Sequence, residues 1–193
     1  MANYSSTSAL VVVDVQNDFA DPAGSLYVTG GEAVVGAVNR EIDRARSVGA
    51  AVVYTQDWHP PETPHFEPQG GVWPVHCVRD TWGAQLHDEL IVDGPVVRKG
   101  ADGSDGFSGF ATRDPESGRE EDTELDRLLR ERGTDHVVVV GLAQDVCVRA
   151  TALDAVAKGY RTEVVVDATA AVNLQPDDGE RTIAELRDAG VAV

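Results

Sequence analysis

Short apolar runs alternate along this chain with longer stretches whose apolar residues recur at helical spacing. Ala9 to Val13, Ala50 to Thr55, Pro95 to Arg98, His136 to Val140 and Thr162 to Val166 have the length and β-branched content of strands buried on both faces. Between them, Glu32 to Val48, Asp122 to Arg132, Val146 to Lys158 and Asp178 to Ala189 follow the 3.6-residue period, and Trp82 to Leu90 follows it more weakly. Gly49, Gly133, Gly159 and Gly190 each come just after a helical pattern, where a left-handed terminal turn favours glycine. This alternation predicts βαβ units. The expected fold is α/β: a Rossmann-like, three-layer arrangement with a mainly parallel sheet of five to six strands flanked by helices. Gly190 to Val193 is the candidate sixth strand. With no linker or break in composition, residues 1–193 read as one domain, long enough to bury roughly 70% of the unfolded surface.

Two stretches escape the pattern. Asp57 to Thr81 is rich in Pro, Gly, His and Trp without strand or helix period, which predicts a long functional loop. Gly100 to Arg119 is rich in glycine and small polar residues, and reads as a flexible lid or a surface loop.

Charge and composition narrow the partners. The formal net charge of -17 argues against nucleic acid or an anionic membrane, both of which reward clustered Lys and Arg. The N-terminal segment lacks a basic region, and the apolar run after it is too short for a signal sequence or a membrane span, so a cytoplasmic protein is expected. Two distant cysteines, Cys77 and Cys147, suit reduced thiols rather than a disulfide framework. Of 16 basic residues only Lys99 and Lys158 are lysines. Lysine can shift its pKa where arginine cannot, so a lysine at a strand end hints at chemistry.

In an open parallel sheet, ligands bind beyond the carboxyl ends of the strands. The residues that follow the first four predicted strands are Asp14, Asp57, Lys99 and Cys147. Cys147 lies where the run from His136 to Ala143 gives way to a helix, and partial positive charge at a helix N-terminus favours thiolate. The ordinary alternative is a buried cysteine acting as a small hydrophobe. If the four converge, Asp14 can serve as general base and then acid, Lys99 can support negative charge, and Cys147 can attack an acyl carbon to give a thioester. Backbone N–H groups at the corner from Ala143 to Cys147 could hold the oxyanion. The loop after the second strand adds His59, His65 and His76 to Asp57. Asp57, His59 and His76 offer three ligands and His65 could be a fourth; carboxylate plus imidazole suits zinc, iron or manganese. His87 reads as surface or core.

The segments Asp14-Val15-Gln16-Asn17-Asp18-Phe19, Asp57-Trp58-His59, Trp73-Pro74-Val75-His76-Cys77, Lys99-Gly100 and Gly141 to Val148 run in order over nearly the whole chain. They resemble the nicotinamidase and pyrazinamidase branch of the isochorismatase-like cysteine hydrolases. The resemblance implies hydrolysis of nicotinamide to nicotinate and ammonia, with pyrazinamide as a second substrate and NAD salvage as the setting. It implies an Asp14, Lys99 and Cys147 triad, an oxyanion hole at Ala143 and Cys147, and one divalent ion, zinc first, on Asp57, His59, His76 and His65. It also implies that the metal contacts the pyridine nitrogen, that Phe19, Leu26, Trp73 and Phe107 line the ring pocket, and that the Leu142–Ala143 peptide is cis. A small-molecule substrate and a monomer or homo-oligomer are expected. Phe107 replaces a frequent Tyr, and Val146 replaces a frequent His or Tyr before the nucleophile. Rival readings are an amidase of the same superfamily acting on a carbamoyl or ureido compound, isochorismate hydrolysis, and a noncatalytic metal or thiol redox sensor. The histidine loop opposes the first, Cys147 the second, and Asp14 with Lys99 the third.

Overall fold

The computed structural model describes residues 2–193. Its central sheet holds five parallel strands in the order β3-β2-β1-β6-β7, made of β1 (Ser8–Val13), β2 (Ala51–Asp57), β3 (Val96–Lys99), β6 (His136–Leu142) and β7 (Arg161–Ala170). Every residue of β1 and β6 is buried. Alternate side chains go to opposite faces, as the two-residue strand period requires. Leu10, Val12, Val138 and Val140 join one core, while Ala9, Val11, Val13, Val137 and Val139 join the other.

The first core is closed by α2 (Gly31–Ser47), which buries Val34, Val35, Val38, Ile42 and Ala45 along one stripe. The second is closed by α3 (Leu125–Glu131), α4 (Arg149–Ala157) and α5 (Asp178–Asp188), through Leu125, Leu129, Ala152, Ala155 and Leu186. The short α1 (Asn17–Ala20) follows β1. Among the described residues no helix is long and apolar enough to cross a membrane.

Strands β1 to β3 run outward on one side and β6 and β7 on the other, so the order reverses between β1 and β6. That reversal opens a crevice at the carboxyl edge. Gly141 lets the strands meet there: its φ is +111°, and a Cβ would sit 2.1 Å from the Val13 carbonyl oxygen.

Several expectations change. Trp82 to Leu90 is not a helix, because its backbone is spent on neighbours: Asn17 and Asp18 N–H groups donate to the Gln85 and Gly83 carbonyls, and His87 N–H donates to Val15. The predicted helix from Asp122 starts later, at Leu125, since Glu120–Asp122 is strand β5, paired antiparallel with β4 (Ala111–Arg113). The 100–119 stretch is therefore partly a small hairpin, not all loop. The candidate sixth strand makes only one bridge, Glu163 to Ala192, leaving five strands in the sheet.

Candidate active site

Four strand ends deliver four side chains to one place. Asp14 follows β1 in a left-handed conformation (φ 48°), and Asp57 and Lys99 are the last residues of β2 and β3. Cys147 lies in a single wide π turn, Gln144–Val148, between β6 and α4. The turn runs directly into α4, so the thiol sits at the start of a continuous helical segment after β6.

Lys99 is the hub. Its Nζ lies 2.7 Å from Asp14 Oδ2 and 3.8 Å from Cys147 Sγ, and it donates to Asp57 Oδ1 and to the Gly106 carbonyl. Burial alone would strip its proton, but Asp14 and Asp57 hold its pKa well above the ordinary range, so it stays an ammonium. Burial pushes Asp14 up to about 6 against the pull of Lys99, and Thr55 Oγ1 donates to its Oδ1 at 2.7 Å. Burial also pushes the Cys147 thiol up, with Lys99 opposing and Asp14 and Asp57 adding to the rise. A protonated resting thiol agrees with the reading of Asp14 as the base that takes its proton. Asp57 also faces desolvation, yet Lys99, His59 and His76 bring its carboxyl below the usual range. The reactive atoms of Asp14, Asp57 and Cys147 all lie within 4.8 Å of one another, with the Lys99 ammonium among them.

On the far side of Asp57 the three loop histidines converge. Ring nitrogens of His59, His65 and His76 lie within 4.8 Å of one another, all three residues being buried. Asp57 Oδ2 lies 3.9 Å from His59 Nε2, so this carboxylate faces both clusters. His76 Nδ1 is 2.7 Å from the Pro74 carbonyl, which can only accept, so Nδ1 carries the proton and Nε2 keeps its lone pair. Neither nitrogen of His59 has a hydrogen-bond partner despite full burial. Such orphaned polar atoms are costly unless something binds them. Burial pushes His59 down to about 4 and lowers His76, keeping both imidazoles in the neutral, ligating form. Three buried imidazoles beside a carboxylate fit a divalent transition metal.

Between the two clusters opens a cleft of about 390 Å³, counting the solvent at its mouth. Phe19, Leu26, Trp73 and Phe107 line it, joined by Gly106, Ala143, Val146 and Val172. The ring of Trp73 stacks on His65 and that of Phe19 tilts against His76, so the aromatic walls continue into the histidine cluster. The Leu142–Ala143 peptide is cis.

Sequence reasoning missed the residues that hold this arrangement. Gln16 accepts the Asp57 N–H and donates to the Asp57 and Ala84 carbonyls, each at 2.8 Å. Asp18 accepts N–H groups from Ser25 and Cys77, tying α1 to the loop beside His76. Asp145 accepts the N–H groups of Val172 and Asn173 and so fixes one cleft wall. Gln16, Asp18 and Asp145 sit inside the quoted motifs, and their acceptor groups amid apolar residues were the available signal. Cys77 is fully buried and its thiol is pushed up by burial, away from any reactive form.

The fold places the protein among enzymes built on a mainly parallel five-stranded α/β sheet with the site at its carboxyl edge. It belongs to the isochorismatase family: the Isochorismatase domain matches residues 8–193. The nicotinamidase/pyrazinamidase of Mycobacterium tuberculosis is 42% identical, over 95% of this chain and 96% of that protein. Among solved structures, the pyrazinamidase of Pyrococcus horikoshii in complex with zinc is similar at TM-score 0.85 and 36% identity, covering 96% of this chain and 97% of that one. PnC1 from L. infantum in complex with nicotinate is similar at TM-score 0.87 and 39% identity, covering 99% and 94%.

Proposed function

We propose that the protein hydrolyses nicotinamide to nicotinate and ammonia, with pyrazinamide as a second substrate, through an acyl thioester on Cys147. One observation carries the reading: an aromatic-walled cleft meets Cys147, backed by Lys99 and Asp14, on one side and three buried histidines on the other. A planar heterocycle with a carboxamide matches that division. Relatives named nicotinamidase or pyrazinamidase over nearly their full length support it.

The chemistry follows from charge and proton positions. The resting thiol is neutral, so its proton moves to Asp14 as Sγ bonds to the amide carbon. N–H groups of Ala143 and Cys147 would take the negative oxygen, and Lys99 offsets the negative charge that Asp14 and the sulfur share. Asp14 then returns the proton to the departing nitrogen, the C–N bond breaks, and ammonia leaves a thioester. Asp14 next takes a proton from water as the water oxygen bonds to the acyl carbon, and the C–S bond breaks to release the acid and restore the thiol.

Asp57, His59, His65 and His76 would hold one divalent ion, zinc first. When bound, the ion supplies a Lewis-acidic contact for a ring lone pair, which orients the substrate. Residues 1–193 would form one hydrolase domain, and two reduced cysteines suit a cytoplasmic setting. Ammonia release from nicotinamide tests the assignment. The intact protein should turn over nicotinamide, and Asp14→Asn should lose at least about a hundredfold in kcat/KM. Absence of nicotinamide turnover with zinc supplied would overturn it.

A further inference from the structure

The three histidines are held in different ways. His65 turns Nδ1 onto Asp105 Oδ1 at 2.7 Å, with only 5% of the histidine side chain and 23% of the aspartate side chain exposed. This contact engages Nδ1 and leaves Nε2 as the ring nitrogen available to a ligand. Asp105 itself is placed by backbone. Its N–H donates to the Arg113 carbonyl at 2.8 Å and its carbonyl accepts the Arg113 N–H at 2.9 Å, anchoring it to β4 and through β4 to β5. A second tie joins the same two loops, since Thr63 Oγ1 donates to the Gly103 carbonyl at 3.0 Å. The residue after Asp105 is Gly106, whose carbonyl accepts from Lys99.

We propose that Asp105 is the positioning residue for a fourth metal ligand: it fixes the tautomer and orientation of His65 so that Nε2 faces a divalent ion shared with His59 and His76. The hairpin of β4 and β5 is then the platform on which this ligand is mounted. A carboxylate on the non-ligating nitrogen is the usual support for a metal-bound imidazole, and it raises ligand basicity as well as setting geometry. The inference rests on reading the histidine cluster as a metal site, but not on the identity of the amide substrate.

The test is zinc affinity without substrate. Apo forms of the full chain carrying Asp105→Ala, Asp105→Asn, His65→Ala, or Asp105→Ala with His65→Ala are titrated with Zn²⁺ against a chromophoric chelator. Asp105→Ala should weaken zinc binding about 10–100-fold. Asp105→Asn keeps an acceptor oxygen without the charge and should lose less. His65→Ala should lose at least as much as Asp105→Ala, and the double variant should bind like His65→Ala alone, because Asp105 acts through His65. Apo unfolding midpoints near wild type would show that the losses belong to the ion. Wild-type zinc affinity in Asp105→Ala with weakened binding in His65→Ala overturns the proposal and leaves the histidine site standing. Wild-type affinity in both overturns the proposal together with the place of His65 among the ligands. Additive losses in the double variant also overturn it, since Asp105 would then act by another route.

Discussion

Replacing Lys99 by methionine removes the ammonium from the centre of the cluster while keeping an unbranched chain in the same space. Its 2.7 Å pair with Asp14 corresponds to about 6 kcal/mol at an effective dielectric of 20, part of which desolvation offsets. Carboxylates beside a cation are shifted by about 1–3 pKa units, so losing Lys99 should carry Asp14 from about 6 to about 8. At pH 7 the ionised fraction of the base would fall from about nine-tenths to about one-tenth. Loss of charge support for the reacting groups adds about 10²–10³, giving about 10³–10⁴ in kcat/KM. The assay is ammonia release from nicotinamide between pH 5 and 9. Wild type should lose activity on the acid side near the Asp14 value of about 6, and Lys99→Met should show that limb displaced upward. Stability gives an independent sign. A carboxyl whose folded pKa exceeds its unfolded value binds protons more tightly when folded, so its contribution is complete below the unfolded pKa and is lost as pH rises through the folded one. In Lys99→Met that loss should extend to about pH 8, seen as a larger destabilisation by urea at alkaline pH than at pH 6. An acid limb still near about 6, with kcat/KM reduced less than about tenfold, would refute Lys99 as the electrostatic partner of Asp14.

Three other perturbations test separate parts. Gly100 has φ +75°, and a Cβ there would lie 2.7 Å from the His59 ring, so Gly100→Ala should weaken zinc about tenfold or more by chelator competition; wild-type affinity would show that His59 can shift freely. Gly141→Ala drives a Cβ into the Val13 carbonyl between β1 and β6 and should cost about 3 kcal/mol or more in urea unfolding, whereas a loss under about 1 kcal/mol would mean the strands separate easily. Removal of the metal by chelator should abolish nicotinamide turnover and lower the melting temperature, both restored by about one equivalent of zinc; full activity in metal-free protein would remove the ion from the reaction.

The sheet was legible because β1 and β6 are continuous apolar runs, and the strand ends therefore named Asp14, Asp57, Lys99 and Cys147 before any geometry was known. Periodicity failed at residues 82–90, where a helical pattern is overruled by hydrogen bonds to residues 15–18. It also missed the hairpin of β4 and β5, whose residues are exposed or half-buried and carry no alternating signal. The loop histidines were visible by clustering, but the tautomers of His65 and His76 depend on Asp105 and Pro74, contacts that spacing does not encode. Cys147 was visible from its place at a strand-to-helix corner, whereas the burial and the distant carboxylates that raise its thiol pKa come only from the fold.

The central claim is that Cys147 carries the acyl group. Wild-type protein quenched in acid during turnover with excess nicotinamide, then digested and analysed by mass spectrometry, should yield the Cys147 peptide bearing one nicotinoyl group. Cys147→Ala should give no adduct and no ammonia above background. Turnover in Cys147→Ala within about tenfold of wild type would contradict the account, since a nucleophile's removal costs several orders of magnitude.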